Sequence, residues 1–385
     1  MKPLSKFDVL LYLTGGIETK ELPRQIKNNA LFEKTSDRKI KQLVRDLKKD
    51  GLILKSKGML SPDARADNIL AFLLWCKKDS VDYEAPLKNR NEIVFRKIFE
   101  GEAGIANKSG LSRQTAAKAI KELEQAGFAD IIKKKPMIIK AKYTDRTIFF
   151  SNIFKYNFGN FQGLLKLEKI EKDSASLREH LIKLHVYSTT VTEGNTATEK
   201  DVERVLQNLG TNLSPREVME ITNAKHAVDE LYRTYKSEDL SVELIKKLHK
   251  LVMANLAEKP GEFAYVRKRI IGSPVKLPDS KIEIDTAVSA TINFYENYRN
   301  KMNPLALASL VHFLFVSIHP FIDGNGRVAR LLHSFVLLKA GMPLFAFDPN
   351  YRNLYFDLLD RGRAGSVEDF VQFCIEKHKE LIEKL

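Results

Sequence analysis

The sequence predicts a mainly α-helical chain: a C-terminal half that is all helical but for one small β-hairpin, preceded by two small α+β units in tandem. Three observations lead there. Apolar residues recur at helical spacing through most of the chain, as at Ile40, Leu43, Val44 and Leu47. The order of three helices and a hairpin occurs twice before residue 142. From about Leu181 helical periodicity runs to the end, around one polar loop at residues 319–330.

In order, residues 5–13 form a short amphipathic helix ended by Gly15-Gly16, and a second helix covers roughly Lys20 to Asn28. Thr35-Ser36-Asp37 supplies the N-cap of a third, running to Lys49. Two short strands around a Lys57-Gly58 turn follow. A connecting helix over 64–78 carries Leu70, Phe72, Leu73 and the sole tryptophan, Trp75. The pattern then repeats. A helix covers Asn89 to Phe99, a short turn or helix contains Ala103 to Asn107, and a helix capped by Ser112 continues to Ala126. A second hairpin from Gly127 to Lys140 has Lys133, Lys134 and Lys135 at its tip. Residues 143–180 read as a junction, aromatic from Phe149 to Phe161 and then a charged helix start from Leu165 to Glu179.

Three helices with a basic hairpin resemble a winged helix-turn-helix, and residues 111–127 resemble the recognition helix of bacterial and archaeal winged-helix regulators. The expected units are 1–62 (winged helix), 63–85 (connecting helix), 86–142 (winged helix), 143–180 (junction) and 181–385 (helical domain). Charge supports a division of labour. Residues 1–150 hold 31 Lys+Arg against 19 Asp+Glu, or +12, and the remainder 32 against 30, or +2. A basic excess confined to one part points to a polyanion there. The resemblance implies that Arg113, Gln114, Thr115 and Lys118 enter a major groove while the hairpin lysines touch phosphate. DNA is thus the expected partner of residues 1–142; winged helices also dock proteins, and that alternative stays open.

Composition excludes several classes. The longest apolar run near the N-terminus, Ile69 to Trp75, is a third of the ~20 residues a membrane span needs. No apolar core follows Lys2 and Lys6 to make a signal peptide. Cys76 and Cys374 are too few and too far apart for a disulfide framework or a zinc site. The expectation is a cytoplasmic chain with no membrane partner.

The loop His319-Pro-Phe-Ile-Asp-Gly-Asn-Gly-Arg-Val-Ala-Arg330 lies between two apolar helical segments. Gly324-Asn325-Gly326 at a helix mouth leaves backbone N–H groups free to seat an anion. Arg327 and Arg330, three apart, both reach that side and suit a polyphosphate. Asp323 beside the seat suits Mg²⁺ bridging phosphates, and His319 suits proton abstraction near neutral pH. Together they point to nucleotidyl or phosphoryl transfer. An EF-hand register puts His319, Phe321 and Arg330 at ligand positions and fails, and no Walker A pattern occurs.

The same twelve residues match every fixed position of the Fic (Fic/Doc superfamily) signature. The resemblance implies a protein adenylyltransferase, moving AMP from ATP with Mg²⁺ to a Ser, Thr or Tyr hydroxyl of a target protein. By match, His319 is the general base and Asp323 the metal ligand. Asn325 with the neighbouring amides of Gly324 and Gly326 holds the α-phosphate, and Arg327 and Arg330 the outer ones. Gly324 and Gly326 argue against the phosphate-transferring Doc subgroup, whose loop contains a lysine. Upstream, Thr189-Thr-Val-Thr-Glu193-Gly194-Asn195 resembles the family's inhibitory motif, in which Glu193 pairs with Arg330 and displaces the γ-phosphate. Inhibition would act within one chain or between like subunits, so a homodimer is open.

Arg269 to Pro278, read as two strands around a turn, sits where the family keeps its flap. There Ile270, Ile271 and Gly272 would line the nucleotide, and the target chain would align by strand addition. Arg352 to Leu359 resembles the helix with an adenine-facing tyrosine, so Tyr355 is the candidate, although it equally suits the core. Arg363 stands where relatives often place a nucleotide-contacting asparagine, which leaves the base preference open. The resemblance covers about Leu181 to Lys377. Two further readings stay open: an enzyme that mainly removes AMP, Glu193 placing the attacking water, and a DNA-binding regulator whose Fic domain senses nucleotide.

Overall fold

A computed structural model describes residues 3–384 apart from 15, 57–58, 64–65, 102–104, 135–136, 159–174 and 271. Helix α1 (Lys6–Tyr12) starts at a capping box, the Ser5 hydroxyl accepting from Asp8 N while the Asp8 carboxylate accepts from Ser5 N. Strand β1 (Ile17–Glu18), α2 (Leu22–Lys27) and α3 (Asp37–Lys49) follow, α3 burying Ile40, Leu43 and Leu47. Strands β2 (Ile53–Ser56) and β3 (Met59–Pro62) pair antiparallel, and β1 takes the other edge of β3, giving the order β1-β3-β2.

The stretch read as a connecting helix is core. In α4 (Asp67–Lys78) every residue from Leu70 to Cys76 is buried. After the short α5 (Glu84–Leu87) come α6 (Asn89–Phe99), α7 (Ile105–Lys108) and α8 (Arg113–Gln125). The hairpin of β4 (Ala129–Lys134) and β5 (Met137–Ala141) closes this second unit. Glu122 fixes α8 to α6: its carboxylate accepts from Asn91 Nδ2, Lys88 and Arg90, contacts that pull its pKa down to about 2.

Helix α9 (Asp145–Phe154) packs on α4, and both pack on α14 (Lys281–Tyr298). The buried indole of Trp75 donates to Asp145 Oδ2 at 2.8 Å, as a buried N–H must find an acceptor. Phe158 meets Phe294 and Tyr298 edge-on, and Tyr298 Oη donates to the Tyr156 carbonyl at 2.8 Å. One apolar core therefore runs from the N-terminal units into the C-terminal half. The expected helix start at Leu165 lies outside the described residues, and α10 begins at Ala175.

The C-terminal half comprises α10 (Ala175–Thr192), α11 (Glu199–Leu206), α12 (Pro215–Thr234), α13 (Val242–Val252) and α14, then α15 (Pro304–Ile318) and α16 (Asn325–Lys339). A 3₁₀ turn (Pro349–Tyr351), α17 (Arg352–Ala364) and α18 (Val367–Glu383) complete it. Helices α15 and α16 are central, and every residue from Leu305 to Ile318 is buried.

The flap differs from expectation. Among the described residues of Arg269 to Pro278 there is no strand. A bond from Ser273 N to Ile270 O (3.2 Å) closes a turn at Gly272, where φ is +82°. Pro274 and Pro278 remove two backbone donors from the second arm, which weakens any ladder with the first.

Candidate active site

Helix α15 stops at His319, which adopts φ 52° and ψ 56°, and Pro320 cannot continue the helix. A left-handed histidine before proline is an unfavourable conformation, held here by the packed helix behind it. It turns the imidazole into a cavity of about 540 Å³ shared with Glu193, Asp323, Gly326 and Arg363. Burial, aided by the Lys268 and Arg363 cations, lowers the His319 pKa from 6.5 to about 4, so the ring is neutral at physiological pH.

The loop after His319 is tied to itself. Asn325 Oδ1 accepts from Phe321 N (2.9 Å) and its Nδ2 donates to Phe321 O (3.0 Å). The Asn325 amide is buried and closes the loop on itself through these two bonds, which leaves one N–H of its NH₂ group for a further acceptor. Asp323 remains half exposed, with Oδ1 accepting from Gly324 N (2.6 Å) and facing Arg327 at 3.4 Å. Gly324 has φ +77°, and a Cβ there would come within 2.8 Å of Met253 Sδ. Both the conformation and the space demand glycine.

Both arginines are buried and neither is among the cavity-lining residues; Arg327 lies beside Asp323. Arg330, 1% exposed, is wrapped by the motif around Thr189. Its Nε donates to Thr189 Oγ1 (2.8 Å), and its Nη2 to Thr189 O (3.2 Å) and Glu193 Oε1 (2.5 Å). A buried guanidinium left without such partners would be strongly destabilising. Glu193 follows the last turn of α10, with Gly194 at φ 105° and Arg352 Nε donating to the Thr192 carbonyl at 2.7 Å. Asn195 anchors the return, its amide donating to Glu220 Oε2 (2.9 Å) and Glu217 O (3.2 Å). The Glu193 carboxylate lies directly over Gly326, so close that a Cβ on Gly326 would collide with it. It thus sits at the positive mouth of α16, where an anion is most stabilised.

Tyr355 touches the cavity but is 3% exposed, and its hydroxyl pairs with His312 Nε2 at 2.8 Å within an aromatic cluster. Of its two readings, the core one describes most of its contacts. Phe356, next in sequence, is 37% exposed and also lines the cavity. From the flap, Ile270 and Gly272 line the cavity, and Ser273 Oγ donates to Asp360 Oδ1 at 2.7 Å, pinning the turn to α17. Ile271 lies outside the described residues. Arg363 donates to Asp360 (2.7 Å) and to Ser317 Oγ (3.2 Å) on the cavity wall.

Residues that sequence reasoning missed include Arg352, Asp360 and His249. His249 is 3% exposed; burial lowers its pKa to about 4. It lies on the buried face of α13, and nothing in its spacing separates it from a core residue.

In the N-terminal units, Arg113, Gln114 and Lys118 are exposed on α8, while Thr115 is turned to the Ser112 hydroxyl at 2.8 Å. Lys133 is exposed on β4. Lys134 closes that strand, and Lys135 lies outside the described residues. Apolar Ile132, Met137 and Ile138 are exposed on the same hairpin.

A neutral histidine, a carboxylate and a helix mouth thus meet at one cavity, with a buried arginine below. Residues 239–337 match the Fic/DOC family. A protein adenylyltransferase Fic of Drosophila ananassae is 28% identical over 225 residues, covering 56% of this chain and 45% of that protein. One from Aedes aegypti is 24% identical over 283 residues, covering 70% and 50%. The chain spans about half the length of the curated relatives it matches. Among solved structures, Fic-1 (aa134–508) from C. elegans is 21% identical with a TM-score of 0.49, covering 76% of this chain and 82% of that one. A Fic family protein from Desulfovibrio desulfuricans G20 is 21% identical with a TM-score of 0.45, covering 55% and 67%.

Proposed function

We propose that this chain is a protein adenylyltransferase that Glu193 holds in an inhibited state. The observation that carries the reading is the Glu193 carboxylate seated over Gly326 and bonded to Arg330, in the cavity that His319 enters. A carboxylate there competes with a nucleotide phosphate for the same guanidinium and helix mouth. With Glu193 withdrawn, a target hydroxyl attacks the α-phosphorus of ATP and the bond to pyrophosphate breaks. The hydroxyl proton passes to the neutral His319, and pyrophosphate leaves. The flap and α17 frame the base and the target chain.

A divalent cation fits the donor set. Asp323 Oδ2 accepts no hydrogen bond among the described residues, and Mg²⁺ takes one carboxylate oxygen together with phosphate oxygens. The ion would supply charge neutralisation to the polyphosphate; Asp323 is the residue that would hold it.

Residues 1–62 and 86–142 are read as winged helices. The strand order β1-β3-β2, with α3 leading into the hairpin, supports the first, and the exposed Arg113, Gln114 and Lys118 on α8 support a nucleic-acid role for the second. The exposed Ile132, Met137 and Ile138 favour protein docking as the second reading of that hairpin.

The activity is tested with α- and γ-labelled ATP in a host lysate. Glu193→Gly is expected to transfer α-label and no γ-label, and Glu193→Gly/His319→Ala to transfer neither. Transfer of γ-label would replace the reading with phosphoryl transfer. Release of AMP from modified protein by the wild type, without forward labelling by Glu193→Gly, would replace it with removal.

A further inference from the structure

One buried histidine outside the proposed chemistry touches both the loop and the backbone of Gly261. His249 Nδ1 accepts from Gly261 N at 2.7 Å, so in the neutral ring the proton sits on Nε2. That Nε2–H donates to the Asp323 carbonyl at 3.0 Å. The ring also stacks flat on Phe321, centroids 3.6 Å apart and planes 5° from parallel. A peptide unit is planar and trans, so a carbonyl held toward α13 directs the next N–H the opposite way. The Gly324 N–H accordingly donates to Asp323 Oδ1 at 2.6 Å, which fixes the carboxylate and leaves Oδ2 without a hydrogen-bond donor among the described residues.

We propose that His249 is a positioning residue: it sets the plane of the Asp323–Gly324 peptide, and through the Gly324 N–H aims the Asp323 carboxylate at the place where a divalent cation meets the nucleotide. The inference rests on the transferase reading for its consequence, but the clamp itself does not. Mutating a residue that orients a metal ligand by hydrogen bonding typically costs about 10- to 100-fold in metal affinity.

The test uses the full chain with Glu193→Gly as parent. His249→Phe keeps a flat ring on Phe321 and loses both hydrogen bonds, whereas His249→Gln restores a donor. Mn²⁺ binding in the presence of ATP is read by electron paramagnetic resonance, ATP binding without metal by fluorescence of a labelled analogue, and Gly324 amide exchange by mass spectrometry. For His249→Phe, Mn²⁺ affinity is expected to fall about 10- to 100-fold and the Gly324 amide to exchange faster, with metal-free ATP affinity unchanged. His249→Gln is expected to recover most of both. Unchanged Mn²⁺ affinity in His249→Phe, a His249→Gln no better than His249→Phe, or an equal loss of metal-free ATP binding would overturn the proposal. A parent that transfers no AMP would count against the transferase reading alone, since Mn²⁺ affinity and Gly324 exchange still decide the clamp.

Discussion

At the scale of single residues, Arg330 has two possible anionic partners and one place to meet them. With Glu193 present, its guanidinium is bonded on the Thr189 and Glu193 side, and it is almost wholly buried. Glu193→Gly leaves that cation short of a carboxylate, so the variant is expected to melt at a lower temperature than wild type. ATP is expected to raise the melting temperature of Glu193→Gly more than that of wild type, because a phosphate can now take the vacated position. Equal shifts in differential scanning fluorimetry would contradict this. Asn325→Ala removes two hydrogen bonds to the buried backbone of Phe321 and is expected to destabilise by about 1–3 kcal/mol in thermal denaturation. Tyr355→Phe is expected to lower the melting temperature, since it leaves His312 Nε2 without its partner, and to keep nucleotide affinity unchanged. The opposite pattern would return Tyr355 to an adenine contact.

At the scale of elements, the N-terminal units present two chemistries on adjoining surfaces. Helix α8 offers exposed cationic and amide side chains, and the β4–β5 hairpin mixes Lys133 with exposed apolar residues. If residues 1–142 meet nucleic acid, the logarithm of affinity is expected to fall linearly with the logarithm of salt. Lys133→Ala is then expected to reduce that slope by about 1, as for one lost phosphate contact. Gel-shift titrations of the whole chain from low to high salt check this, and no shift at the lowest salt would leave the hairpin as a protein-docking element. The element boundaries carry their own lesson. The helices that start at capping residues, such as α3 after Ser36 and α8 after Ser112, were readable because a cap is a local signal. The burial of α4 and the form of the flap were not. Burial of α4 depends on α9 and α14, far away in sequence, and the flap's lack of strands depends on hydrogen bonds that its prolines do not supply.

At the scale of the whole molecule, proton binding sets stability. Six of the eight histidines, at 185, 249, 312, 319, 333 and 378, are held by burial below the ordinary value of 6.5, four of them at about 4. The unfolded chain therefore binds more protons than the folded one as pH drops. Stability is expected to be fully present above about pH 6.5 and to be lost progressively toward pH 4, which melting curves across that range measure. The acid limb of the transferase rate is likewise expected to lie below 6.5, because His319 serves as a base only when neutral. The architecture was legible in part for a physical reason. A twelve-residue loop with fixed glycines and charges announces its chemistry locally. The partners that complete it, His249 and Arg352, come from helices whose sequences look like ordinary core and surface. Arg327 and Asn325 were assigned to phosphates by their place in the loop, and only the packing shows that each also holds the loop together, Arg327 beside Asp323 and Asn325 on the Phe321 backbone. The measurement that bears most directly on the inhibited-transferase reading is the rate of AMP incorporation by Glu193→Gly relative to wild type at saturating ATP. A contact worth about 2–3 kcal/mol implies a ratio of tens to hundreds. A ratio near one would contradict it.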